Sequence, residues 1–104
     1  MANSENEEFP WLSQKEALIL EMLVGSAHEL YGLQMVDGSQ GKLKRGTIYV
    51  ALQRMEEKGL IESRTEARPD GENGIPRRLY KITGHGQRVL AAMKSAHAMV
   101  FAVS

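Results

Sequence analysis

The spacing of hydrophobic positions shifts along the chain, and each shift marks an element. Between residues 46 and 58, Ile48, Ala51, Leu52 and Met55 recur at i, i+3, i+4 and i+7, whereas Thr47, Val50, Gln53, Arg54, Glu57 and Lys58 fall off that stripe. This predicts a two-faced helix with one side for a core and the other free. Gly59 suits the left-handed conformation that ends helices, and Leu60 and Ile61 open an apolar, strand-like continuation. Residues 60–68 alternate loosely and run into Arg68-Pro69-Asp70-Gly71-Glu72-Asn73-Gly74, a stretch dense in turn formers. Residues 75–82, closing on Leu79-Tyr80-Lys81-Ile82, then predict a second strand, so the two make a β-hairpin.

Upstream, Ser13 and Glu16 have the S-x-x-E spacing of a capping box and predict a helix reaching to about Val24. Its apolar residues, Ala17, Leu18, Ile19, Leu20, Met22, Leu23 and Val24, cover most of the circumference. That marks a central scaffold helix, with Leu18 a candidate to face a second subunit. Gly25-Ser26-Ala27-His28 breaks the pattern, and residues 29–38, with Leu30, Leu33, Met35 and Val36, predict a short second helix. Near its start, Gly32 permits close packing, and Tyr31 can bury its ring while keeping its hydroxyl wet. Residues 39–46 supply a turn. Thr83 can cap a last helix that Val89, Leu90, Met93, Ala96, His97, Val100 and Phe101 continue almost to the end. The expected fold is mostly α with a two-stranded β-hairpin wing: a winged helix-turn-helix over residues 13–83 and a C-terminal helix over 84–104. In so short a chain that helix has little left to cover, which points to dimerisation; folding back on its own core is the simpler alternative. An acidic arm, residues 1–12, precedes them, and its Trp11 is a packing anchor grouped with the dimerisation candidates.

At 104 residues the chain suits one domain that would bury only about 60 to 65% of its unfolded surface, a small core that gains from a partner subunit. With 42% hydrophobic and 25% charged residues it has an ordinary globular composition. The acidic start and the lack of a long apolar run predict a cytoplasmic protein without a signal peptide. Cysteine is absent, which excludes disulfides and zinc-thiolate sites. The formal net charge is zero, but residues 42–88 carry eleven Lys and Arg against six Asp and Glu, a local excess of five that the remainder cancels. Phosphates respond to that local field, so overall neutrality says little against nucleic acid.

Three stretches, Leu30-Tyr31-Gly32, residues 45–61 around Gly46-Thr47-Ile48-Tyr49, and Arg77-Arg78-Leu79-Tyr80-Lys81-Ile82-Thr83-Gly84-His85-Gly86, resemble the PadR family of bacterial transcriptional regulators in order and spacing. The resemblance spans about residues 13 to 90. It implies a winged-helix DNA-binding domain followed by a dimerisation region, usually acting as a repressor relieved by a small molecule or stress signal. Val50 stands where the family often has proline, and Gly74-Ile75-Pro76-Arg77-Arg78-Leu79-Tyr80 carries an inserted isoleucine and one tyrosine fewer than the usual wing motif. These departures bear on the operator and on wing contacts. The single C-terminal helix resembles the shorter members.

Read as a DNA-binding surface, Thr47, Val50, Gln53 and Arg54 are the candidate base readers: Gln53 suits adenine, Arg54 guanine and Val50 a thymine methyl. Tyr49 is placed to bond a phosphate. Lys42, Lys44 and Arg45 precede the helix where cations grip the backbone, and of the strand neighbours Arg77 and Arg78 only one is expected to reach DNA. The implied partners are an inverted-repeat duplex, a second copy of the chain and a small-molecule effector of unknown identity. Trp11, Met22, Met93, Met99 and Phe101 are candidates to line an apolar effector space, although methionines at helical spacing are more often core. Enzymatic activity has little support: His28, His85 and His97 lack metal-ligand spacing, no cofactor motif occurs, and neither a nucleophile motif nor a phosphate-cradling loop is present. The competing reading is a winged helix that binds protein and makes no direct DNA contact.

Overall fold

The computed structural model describes residues 12–26, 29–66 and 76–103, with side chains described in the last segment as far as Ala96. In chain order the elements are α1 (Gln14–Gly25), β1 (Leu30–Tyr31), α2 (Gly32–Gly38), α3 (Ile48–Glu57), β2 (Ile61–Glu66), β3 (Arg77–Ile82) and α4 (Gly84–Val103). The expected arm, including Trp11, and the wing loop at residues 67–75 lie outside the described residues, apart from Leu12, which is buried in the core.

The capping box predicted for α1 is present. Ser13 Oγ accepts the Glu16 N–H at 3.1 Å, and Glu16 Oε1 accepts the Ser13 N–H at 2.9 Å. The same carboxylate, itself buried, takes Lys58 Nζ at 3.0 Å, so one side chain both starts α1 and fastens the end of α3. Ile19, Leu20 and Leu23 are buried, and Ala17, Leu18 and Met22 pack half-buried against them, which makes α1 the scaffold. Val24, by contrast, is exposed.

The helix expected over residues 29–38 is shorter, and its first residues are strand. Leu30 pairs with Tyr80 and Tyr31 with Leu79, giving an antiparallel sheet of order β1-β3-β2. The expected two-stranded wing is thus a hairpin extended by a third, short strand. Two residues cannot display an alternation, so β1 owes its conformation to the free edge of β3 and leaves no periodic trace in the sequence. Gln34 Oε1 then accepts the Tyr31 N–H at 2.7 Å and starts α2 at Gly32.

Between α2 and α3 the chain reverses through Gln40 and Gly41, both at positive φ. Ser39 holds this turn: its buried hydroxyl donates to the Val36 carbonyl at 2.8 Å and accepts the Leu43 N–H at 2.9 Å, which seats Leu43 in the core. α3 buries Ile48, Leu52 and Met55, the stripe read from the sequence. It ends in a Schellman arrangement: Gly59, at φ +79°, donates its N–H to Glu56 O and Leu60 donates to Met55 O, each at 3.0 Å.

The β2–β3 ladder runs from Ile61 opposite Ile82 to Glu66 opposite Arg77. Thr83 caps α4 by accepting the Gly86 N–H at 2.9 Å, and it donates its own hydroxyl to Gly59 O at 2.6 Å. A Cβ on Gly86 would collide with the Leu60 carbonyl oxygen, so a glycine is required for the start of α4 to lie against the end of α3. Leu90, expected at a subunit interface, is instead buried in the chain's own core, with Val89 and Met93 half-buried beside it. The first half of α4 therefore folds back on the domain, because the gap between α1 and the sheet needs an apolar cover. Lys94 adds an exposed ion pair to Glu21 at 3.3 Å.

Candidate nucleic-acid interface

Burial of Ile48, Leu52 and Met55 sets the rotation of α3 and turns the opposite face outward. Thr47, Tyr49, Val50, Gln53 and Arg54 are all exposed there, Tyr49 at 48% and Val50 at 54%. Gln53 Nε2 stands 3.5 Å from Glu57 Oε2, the limit of a hydrogen bond, so its amide is nearly free. Arg54 has no ion-pair partner among the described residues, and neither do Lys42, Lys44 and Arg45 in the turn before the helix, all exposed. The turn cations and the candidate readers, neighbours in the sequence, are thus all exposed.

On the wing the two arginines part company, as neighbours on a strand must. Arg78 lies on the α3 side: its Nη1 donates to Ser63 Oγ at 2.9 Å, and that hydroxyl donates to the Glu56 carboxylate of α3 at 2.8 Å. Arg77 lies on the other face, its guanidinium carbon 4.6 Å from the centre of the Tyr31 ring. The Tyr31 hydroxyl donates to Glu66 at 2.7 Å, so it is occupied by protein where the sequence suggested water. On that outer face Glu29 also takes Arg64 in a two-point grip, at 2.7 Å and 2.9 Å. The Arg64 hydrogen bonds hold the Glu29 carboxyl below its ordinary range, and Glu29 in turn raises Arg64.

Sequence reasoning did not single out Glu29, Glu56, Ser63 or Arg64. The only available signal was the period-2 run Glu62, Arg64, Glu66 in β2, which marks one charged face of the sheet. Nor did it find the partner of Gly32, the Tyr49 ring.

Of the dimerisation candidates, Leu18, Val89 and Met93 are half-buried, Leu90 is core, and Ala96 is exposed. His97, Val100 and Phe101 lie on α4, and their side chains are outside the described residues. Met22 and Met93 pack against the core. A separate open groove of about 1290 Å³ runs between α1, the outer sheet face and α4, lined by residues including Val24, Glu29, Arg64, Lys81 and Leu90. Among the described residues no group of His, Asp and Glu is arranged to hold a metal ion, and no helix is long and apolar enough to cross a membrane.

The model of the transcriptional regulator PadR-like family matches residues 19–92. The chain belongs to that family. Among solved structures, a PadR family transcription regulator from Clostridium difficile R20291 is 30% identical, with 84% of this chain and 90% of that one covered and a TM-score of 0.68. A PadR-like transcriptional regulator from Bacillus cereus is 28% identical over 84% of each chain, at a TM-score of 0.61. The PcaV transcriptional regulator from Streptomyces coelicolor, solved with its natural ligand, shares the fold at 22% identity and a TM-score of 0.70, with 90% of this chain and 61% of that one covered. No curated protein sequence matches this one. This PadR-like chain is therefore a transcriptional regulator with a winged-helix fold, mostly helical with a β wing.

Proposed function

We propose that the protein is a dimeric, sequence-specific DNA-binding repressor of the cytoplasm. In this reading α3 enters the major groove, Thr47, Val50, Gln53 and Arg54 meet base edges, and Tyr49, Lys42, Lys44 and Arg45 hold phosphates. Arg78 is the wing cation on the α3 side and extends the phosphate grip, while Arg77 stays on its tyrosine. The observation that carries this is the run of exposed cations without an ion-pair partner among the described residues, Lys42, Lys44, Arg45 and Arg54, in the same short stretch of chain as the exposed polar readers. A protein-binding face would instead gather exposed apolar residues, and here these are Tyr49 and Val50 alone on α3. Dimerisation uses the outer face of α4, with Ala96 and the residues beyond it. A small-molecule effector, if bound in the groove between α1, the sheet and α4, would press on Arg64 and Glu29 and so on the wing.

Selection of bound fragments from genomic DNA with the purified protein tests the reading. Enrichment of an inverted repeat is the expected result. If each subunit neutralises about 3 to 5 phosphates, affinity falls with salt at a log–log slope of roughly −5 to −9. Failure to enrich any fragment at low salt would shift the assignment to a protein-binding winged helix.

A further inference from the structure

We infer that Gly32 is a positioning residue for Tyr49, and that together they present the Tyr49 hydroxyl to a backbone phosphate of bound DNA; this rests on the DNA-binding reading above. Gly32 is the buried first residue of α2. A Cβ built on it would lie 2.7 Å from Tyr49 Cε1 and 2.9 Å from both Cζ and Oη. Carbon atoms in contact stand about 3.5 to 4.0 Å apart, so the ring fits only against a residue with no side chain. The atoms touched are those of the hydroxyl end, which means that this end is held and not merely the root of the side chain.

Backbone conformation does not explain the glycine. Gly41 and Gly59 are the described glycines at positive φ, and Gly32 is not among them. Alanine would suit its helical position better than glycine does. What Gly32 provides is space for one ring.

That ring carries a usable hydroxyl. Of the three tyrosines, Tyr31 gives its hydroxyl to Glu66 and Tyr80 is buried at 5%, whereas Tyr49 is 48% exposed and its hydroxyl has no hydrogen-bond partner among the described residues. A phenol is a donor that a phosphate oxygen accepts well, and a donor fixed in advance loses little freedom when it binds. Arg45 and Lys44 stand just before it in the chain, so phosphate is the anion that this surface attracts.

The experiment compares wild type, Gly32→Ala, Tyr49→Phe and the double variant, using the operator selected from genomic DNA. Because the displaced atoms are the tip of a half-exposed side chain, Gly32→Ala swings the ring away and melts no lower than wild type. Proton NMR shows Overhauser contacts from Gly32 Hα to the residue-49 ring in wild type and Tyr49→Phe, and none from position 32 to that ring in the Gly32→Ala protein. Each single variant binds operator about a hundredfold more weakly, as expected when each of two subunits loses one hydrogen bond to a charged group. The double variant is no weaker than either, and the salt slope is unchanged because no cation was removed. Gly32→Ala that loses the ring contact yet binds like wild type, or losses that multiply in the double variant, would overturn the inference while leaving DNA binding intact. Wild-type protein that shows the contact but enriches no DNA would instead overturn the DNA reading and the phosphate role with it.

Discussion

Arg54 and Lys44 are both exposed and have no ion-pair partner among the described residues, yet they stand on different footings. Arg54 projects from the body of α3, where a planar, two-pronged donor can match the two acceptors of guanine. Lys44 stands in the turn before α3, and the proposed reading assigns its point charge to the DNA backbone. Arg54→Ala should therefore weaken operator binding about ten- to hundredfold and relax selectivity at one base pair per half-site. Lys44→Ala should weaken operator and scrambled DNA alike and reduce the salt slope by about 0.9 for each subunit. Fluorescence anisotropy titrations on both duplexes across a salt series separate the two, and a uniform loss for Arg54→Ala would demote it to a phosphate contact. Tyr31 and Gly32 show the same division of labour at adjacent positions. Tyr31 engages Glu66 and Arg77 of the wing, and Gly32 receives Tyr49 of α3. Two consecutive residues thus register both outward-facing elements against the domain.

The joint between α3, β2 and α4 is held by backbone in close contact. Thr83 bonds Gly59 O, its N–H bonds Leu60 O, and Gly86 lies against that same carbonyl. Gly86→Ala puts a methyl group into backbone that cannot move without dragging the helix stop with it, and should cost about 2 to 4 kcal/mol in chemical denaturation. An unchanged midpoint would mean that α4 can tilt away freely. On the outer face of the sheet, Glu29 has a folded pKa below its ordinary 4.5, chiefly because of its hydrogen bonds with Arg64. Its contribution is present above that ordinary value and fades as pH falls through the lower folded one. Thermal melts of wild type and Glu29→Gln should differ near neutrality and converge in acid; a gap that persists in acid would assign the effect to packing. What the sequence revealed of these elements tracks how local their causes are. The capping box, the α3 stripe and the Gly59 stop depend on residues a few positions apart, and Ile48, Leu52 and Met55 are buried as the spacing requires. β1 and the burial of Leu90 depend on surfaces assembled from distant parts of the chain, a free β3 edge and a gap over α1, which no window of sequence contains.

For the molecule as a whole, the proposed dimer assigns different work to the two ends of α4. Leu90 and Met93 fix its first half to α1 and the sheet, Ala96 is exposed, and the helical backbone runs on to Val103, 20 residues and about 30 Å in all. A helix anchored at one end and extending at the other can pair with its copy without disturbing the core. Such a dimer would space two α3 helices about one turn of DNA, roughly 34 Å, apart. Ala96→Glu tests this because Ala96 is exposed in the monomer, so a charge there leaves the fold alone and strikes only a subunit contact. Sedimentation should show wild type as a dimer and the variant shifted to monomer, with matching circular dichroism. Operator affinity should fall about a hundredfold or more, since each half-site must then be bound without its tethered neighbour. A single half-site duplex should bind both proteins equally, because α3 and its cations are untouched. If wild type sediments as a monomer and still holds an inverted repeat tightly, α4 is not the subunit contact, and cooperation between half-sites must pass through the DNA.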